Sequence, residues 1–137
     1  MTATDTTEST MQVGQQLVDL CRAGRNREAI EQLYADDAVS IEAMAGPQGR
    51  ETRGKQALLA GSDWFQAAFD IHDSTVQGPY PMDDKFICRM TIDCTGKEGP
   101  MAGKRMQMEE GCLYTVKNGK IIRSEFFYNP GKEDCGM

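Results

Sequence analysis

KRMQMEEGCLYTVKNGKIIRSEFFY, residues 104–128, decides how the rest of the chain is read. Its first half is β-prone and mostly alternating; Asn118-Gly119 interrupts it, and a second extended run returns from Lys120. Asn-Gly between two such runs predicts a two-residue type I′ turn, because both central residues of that turn need positive φ. A long antiparallel hairpin is therefore expected at this end of the chain. The residues before it read as helices first and strands afterwards, so the hairpin should supply much of a sheet over which the helices fold. A ligand is expected between the two layers.

Upstream, Ser9 with Gln12 fits a capping box, and Val13, Leu17, Leu20 and Cys21 recur at helical spacing until Gly24. Asn26 caps a second, shorter helix with Ala29, Ile30 and Leu33 as its apolar stripe, ending near Tyr34 to Asp37. Val39 to Met44 alternates as a strand, with Val39, Ile41 and Ala43 on one face and Ser40, Glu42 and Met44 on the other. Gly46, Pro47, Gly49 and Gly54 mark a loop, after which Ala57, Gly61, Trp64, Phe65 and Ala68 trace a third helix ending near Phe69. The period then becomes two. Ile71 to Tyr80 predicts a strand, and Phe86, Cys88, Met90, Ile92 and Cys94 predict another, with a turn at Pro81 to Asp84 and a Gly/Pro-rich connection from Gly96 to Gly103. The plan is α+β: a cone-shaped, curved antiparallel sheet with three N-terminal helices covering its concave face, and the mouth of the cone is the natural pocket.

With 137 residues the chain suits one domain, here 11–137, behind a tail at 1–10 expected to be disordered because it is rich in Thr, Asp, Glu and Ser. That tail has no basic cluster and no apolar core of the kind that directs export. Fifteen basic against 21 acidic residues give a net charge of −6, with the basic residues scattered, which argues against nucleic acid as a partner. No apolar run approaches the ~20 residues that cross a bilayer, so no membrane role is expected. Five cysteines, Cys21, Cys88, Cys94, Cys112 and Cys135, show no metal-ligand or Cys-x-x-Cys spacing and read as small buried hydrophobes. A reducing, cytoplasmic location fits them.

Ala23-Gly24 closing the first helix, Leu33-Tyr34-Ala35-Asp36-Asp37-Ala38 before the first strand, Gly54 opening the third helix, and Asn118-Gly119-Lys120-Ile121 followed by Glu125-Phe126-Phe127-Tyr128 together resemble the nuclear transport factor two-like superfamily, and within it the SnoaL-like and ketosteroid-isomerase-like small proteins. That resemblance implies the cone fold and a homodimer through the outer sheet face. It implies no single activity, since the fold hosts isomerases, cyclases, dehydratases, epoxide hydrolases and proteins without chemistry. Position by position, the isomerases' aspartate base matches Glu42, their oxyanion-hole tyrosine matches Leu17, and their protonated aspartate falls near Gly111 by ungapped counting. Glu125 lies near the last member of the epoxide hydrolases' Asp-Arg-Asp set, but no Arg-x-Asp precedes it.

The candidate catalytic residues are Glu42, His72 and Glu109. A carboxylate facing an apolar cavity is desolvated, its pKa rises, and it becomes a matched base for a carbon acid near neutral pH; alternatively Glu42 lies on the wet face of an edge strand. His72, the one histidine, is either a proton shuttle or a surface residue beside Asp70 and Asp73. Glu109 and Glu110 are adjacent in an extended run, so one of them at most enters the cone; Glu125 is expected outside, because Ile122, Ser124, Phe126 and Tyr128 form the more apolar set. Met44, Trp64, Phe65, Met90, Phe126 and Tyr128 are the candidate ligand-binding walls, with ordinary core packing as the alternative for each. These residues suit a small, largely apolar carbonyl compound, turned over by proton transfer without metal or organic cofactor. The alternatives are a non-catalytic binding module for an apolar metabolite and a dimerisation domain whose cone is filled.

Overall fold

The computed structural model describes residues 3–46 and 49–129. Its elements run α1 (Ala3–Arg22), α2 (Asn26–Leu33), β1 (Tyr34–Gly46), β2 (Gly49–Arg53), α3 (Lys55–Ala68), β3 (Phe69–Met82), β4 (Lys85–Gly96), a 3₁₀ turn at Gly99–Met101, β5 (Arg105–Lys117) and β6 (Lys120–Phe127). The six strands form one sheet in the order β2-β1-β6-β5-β4-β3. The opening hairpin is β5–β6, antiparallel, and its turn is as expected: Asn118 and Gly119 have φ of 53° and 76°. The curved sheet stays open, and its concave side carries the helices in the α+β cone arrangement.

Four expectations change. The sheet is mixed rather than antiparallel throughout, because β1 runs parallel to β6, with Ser40 opposite Ser124 and Ile41 opposite Glu125. The stretch Tyr34 to Asp37 is strand, not helix end: Tyr34 already pairs with Ile121 and, with Ala38, is buried. A sixth strand, β2, lies where a loop was expected. Gly49–Arg53 is almost wholly exposed and is held by backbone pairing to β1, so it carries no apolar alternation to announce it. Residues 3–10 belong to α1 instead of a free tail, and the Ser9 cap is interior to the helix. Thr7 and Thr10 stand three residues apart on one helix face and grip the β3–β4 turn. The Thr10 hydroxyl donates to the Asp83 carbonyl at 2.6 Å, and the Asp83 N–H donates to Thr7 Oγ1 at 3.0 Å. Met1, Thr2, Pro47 and Cys135 lie outside the described residues.

The core lies between the helices and the inner sheet face: Val13, Leu17, Val18 and Cys21 of α1 and Ala29 and Leu33 of α2 meet Phe86, Cys88, Cys112, Tyr114, Val116 and Ile121. Phe86 stacks on Tyr114 with centroids 4.8 Å apart, and Tyr114 meets the edge of Phe126 at 6.2 Å. Cys21, Cys88, Cys94 and Cys112 are free and buried, as small hydrophobes should be. The helix α1 lies along β3, while α3 spans β1, β2 and the start of β3. Among the described residues no helix is long and apolar enough to cross a membrane.

Candidate functional site

Strand parity sorts the candidate acids. β1 lies between β2 and β6, so Glu42 is not on an edge strand, and it shares the parity of the buried Ala38 and Ser40 and meets Tyr128 on the inner face. On β5, Met106, Cys112, Tyr114 and Val116 are buried, which makes Glu110 inward and Glu109 outward. Glu109 is corrected accordingly. It is exposed on the outer face and paired with Arg89, whose Nη2 lies 2.8 Å from Glu109 Oε1. The inward acid was legible in the same alternation, since Glu110 shares the parity of four buried residues. Glu125 is outward, as expected, with Arg123 Nε at 3.1 Å.

Tyr128 follows the last residue of β6 and shares the inward parity of Ser124 and Phe126. The parallel register between β6 and β1 brings its hydroxyl to Glu42, where it donates to Oε1 at 3.3 Å. Burial raises the Glu42 carboxyl above its ordinary range, and this hydrogen bond pulls it part of the way back. Glu110 has no comparable donor: the contact it accepts is from the Cys112 thiol, with Sγ 3.9 Å from Oε1. Burial, with the charge of Glu42 added, pushes Glu110 up to about 7. The same two causes push the Tyr128 phenol up to about 12. Both carboxyls in this apolar setting are raised, and Glu42 has a hydroxyl donor that favours its anion, a difference of the kind that divides base from acid in proton-transfer sites.

Met90 pairs directly with Glu110 across β4 and β5, and Phe126 pairs with Cys112 across β5 and β6; both are partly buried against the core. The structure therefore brings together Glu42, Glu110, Tyr128, Phe126 and Met90. Phe65 stacks on Phe69 at 4.7 Å and is half-buried, whereas Trp64 meets Phe69 edge-on and is 61% exposed. The Met44 side chain is also half exposed. His72 does not join the acids. It sits exposed at a β-bulge in β3 with Nε2 2.7 Å from Thr95 Oγ1. Leu17, at the isomerases' tyrosine position, is core. The position matched to their protonated aspartate is one residue from Glu110, so an inward acid stands beside the place where ungapped counting found glycine. Among the described residues no three His, Cys, Asp or Glu side chains are grouped so as to hold a metal ion.

A concavity of about 510 Å³ lies on the outer sheet face over Gly111, lined among others by Tyr80, Ile87, Arg89, Glu109, Leu113 and Phe127.

A SnoaL-like domain model matches residues 8–128. Among solved structures, one from Mesorhizobium loti, described as a candidate SnoaL-like polyketide cyclase, is 40% identical; the match covers 85% of this chain and 97% of that one, with a TM-score of 0.80. A candidate polyketide cyclase from Pseudomonas putida shares the fold at 16% identity, covering 93% and 97% of the two chains with a TM-score of 0.70. An epoxide hydrolase of Mycobacterium tuberculosis shares it at 12% identity, covering 94% and 87% with a TM-score of 0.65. No functionally curated protein matches. The family model and the 40% identical structure each span most of the sequence, and the chain belongs to the SnoaL-like family.

Proposed function

We propose that the protein is a cofactor-independent isomerase or cyclase that moves a proton on a small, largely apolar carbonyl compound. Glu42 takes a proton from the carbon next to the carbonyl, and Glu110, carrying its proton near neutral pH, donates to the carbonyl oxygen as negative charge develops there. Return of the proton at a different carbon gives isomerisation; attack of the enolate carbon on a second carbonyl of the same molecule gives ring closure. The observation that carries this reading is the Tyr128–Glu42 hydrogen bond beside an acid held near pH 7. Phe126 and Met90 supply apolar contact on the same inner face, and the 40% identical relative bears a polyketide cyclase's name, which favours that carbonyl class.

The test is exchange of carbon-bound hydrogen for deuterium in D₂O, followed by NMR, over a panel of cyclic ketones and aromatic polyketide-like esters. Wild type should exchange at least one member. Glu42→Gln should lose exchange by at least about a hundredfold, the usual weight of a general base, while a thermal shift with the same compound persists. Stabilisation without exchange in wild type would instead make the protein a binding module.

The outer sheet face is read as the contact between two copies. Tyr80, Ile87 and Phe127 are each at least half exposed there, an apolar surface on an open sheet that a twofold partner would cover.

A further inference from the structure

Both inner carboxyls are partly buried, and among the described residues neither forms an ion pair, so something other than a cation must decide which one ionises first. Glu110 is the more deeply buried, and a donor adds to the difference on the side of Glu42. Tyr128 Oη donates to Glu42 Oε1 at 3.3 Å. The phenol is therefore tied to β1 at Glu42. Glu110 has a thiol at 3.9 Å, a weak and distant donor. An O–H aimed at a carboxylate stabilises the anion far more than it stabilises the acid.

We propose that Tyr128 is a positioning residue that assigns the roles of the two carboxyls, making Glu42 the group that gives up its proton first and leaving Glu110 as the group that keeps one. The assignment of base and acid rests on the proton-transfer reading above, whereas the order of ionisation does not. The other titratable groups around the pair do not compete. Tyr34 of β1, Cys21 of α1, Cys88 of β4 and Cys112 of β5 are all raised by burial and neutral near pH 7. Arg22 spends its guanidinium on the Val76 carbonyl, Lys55 of α3 is taken by the Glu31 carbonyl and Asp36, and Arg50 of β2 donates to the Glu42 backbone oxygen rather than its carboxylate. Burial raises both carboxyls, Glu110 the more deeply set, and the Tyr128 hydroxyl is the contact that lowers Glu42.

The experiment is a ¹³C NMR titration of the glutamate side-chain carboxyls, with Glu42→Gln and Glu110→Gln used to assign the two inner signals. In wild type the Glu42 step should lie below the Glu110 step. In Tyr128→Phe the Glu42 step should rise by about one pH unit and approach that of Glu110. A Glu42 step that stays put in Tyr128→Phe overturns the proposal, as does a wild-type Glu42 step above that of Glu110. Uniform replacement of tyrosine by 3-fluorotyrosine, a stronger donor, applies the opposite pressure in an unmutated fold: Glu42 should then titrate lower, and an unmoved step again overturns the assignment. The titration needs no substrate. Full exchange activity in Glu42→Gln would end the catalytic reading while leaving the ionisation order to be judged by NMR alone.

Discussion

Glu110 of β5 feels the charge of Glu42 of β1 across the inner face of the sheet, and no basic side chain is salt-bridged to either among the described residues. Elsewhere the protein pairs its acids freely: Glu109 with Arg89, Asp93 with Arg105, Glu125 with Arg123. What sets the inner pair apart from the other acids without a basic partner is that burial raises both of its carboxyls. Leaving it unneutralised costs stability at neutral pH, which makes the cost measurable.

The sign follows from Glu110. Its folded value is raised from 4.5 to about 7, so between those limits the folded protein holds a proton that the unfolded chain has released. Stability should therefore fall as pH rises through that window and level off above it. Glu110→Gln removes this group's part of the slope and leaves the part due to Glu42, which burial also raises. At pH 8 the variant should be more stable than wild type, by up to about 3 kcal/mol if the full shift is realised, and at pH 4 the two should converge. Urea unfolding at both pH values measures it; parallel pH profiles for the two proteins would refute the inward, desolvated placement of Glu110.

Neighbouring glutamates give a sharp contrast. Glu109 is exposed and its pair with Arg89 is screened by solvent, so Glu109→Gln should change stability by less than about 1 kcal/mol and leave deuterium exchange of a substrate unchanged. Glu110→Gln should depress that exchange by at least about tenfold, because a neutral amide donates to the carbonyl oxygen but has no proton to transfer. Equal losses in the two variants would mean that strand parity had been misassigned.

Gly14 tests the seating of α1 on the sheet. Alanine there improves helix propensity by about 1 kcal/mol, yet its Cβ would lie 2.8 Å from Pro79 Cβ and 3.2 Å from the Phe86 ring. Neither neighbour can retreat: Pro79 is buried in β3, and Phe86 is held against Tyr114. Overpacking of this kind costs ~1–3 kcal/mol, so Gly14→Ala should be destabilised by about 1 kcal/mol net in chemical denaturation. A stabilised variant would show that α1 can lift off β3 without penalty.

What could be read in the sequence depended on how much apolar side-chain pattern each element carries. The hairpin was legible because Asn118-Gly119 demands positive φ and the approach to the turn buries alternate residues, Cys112, Tyr114 and Val116. By the same logic Glu110 was legible from Cys112, Tyr114 and Val116, although Glu109 beside it offered an equally acidic alternative. The edge strand β2 was not, since Gly49–Arg53 is held by backbone hydrogen bonds and presents both faces largely to water. Nor was the N-terminal extension of α1: Thr7 and Thr10 look like tail residues until the turn at Asp83, more than seventy positions away, supplies their partners. The parallel β1–β6 pairing, which brings Tyr128 to Glu42, is likewise a long-range fact with no local signature.

The outer sheet face yields the last prediction. Ile87 is 50% exposed, Phe127 56% and Tyr80 59%, around a depression whose floor is open because Gly111 has no side chain. If two copies meet there about a twofold axis, Ile87 is buried twice in each dimer, and one substitution alters both halves of the interface. Because Ile87 is already half buried, each lost contact removes about 1 kcal/mol of burial, and each introduced carboxylate must also be desolvated or expelled. Ile87→Glu should therefore weaken dimerisation by at least about a hundredfold while leaving the fold intact, because the residue contributes nothing to the inner core. Light scattering coupled to size exclusion should show wild type at twice the mass of one chain and Ile87→Glu at the mass of one. A wild type that is monomeric at tens of micromolar, or a variant that remains dimeric, would place the contact elsewhere.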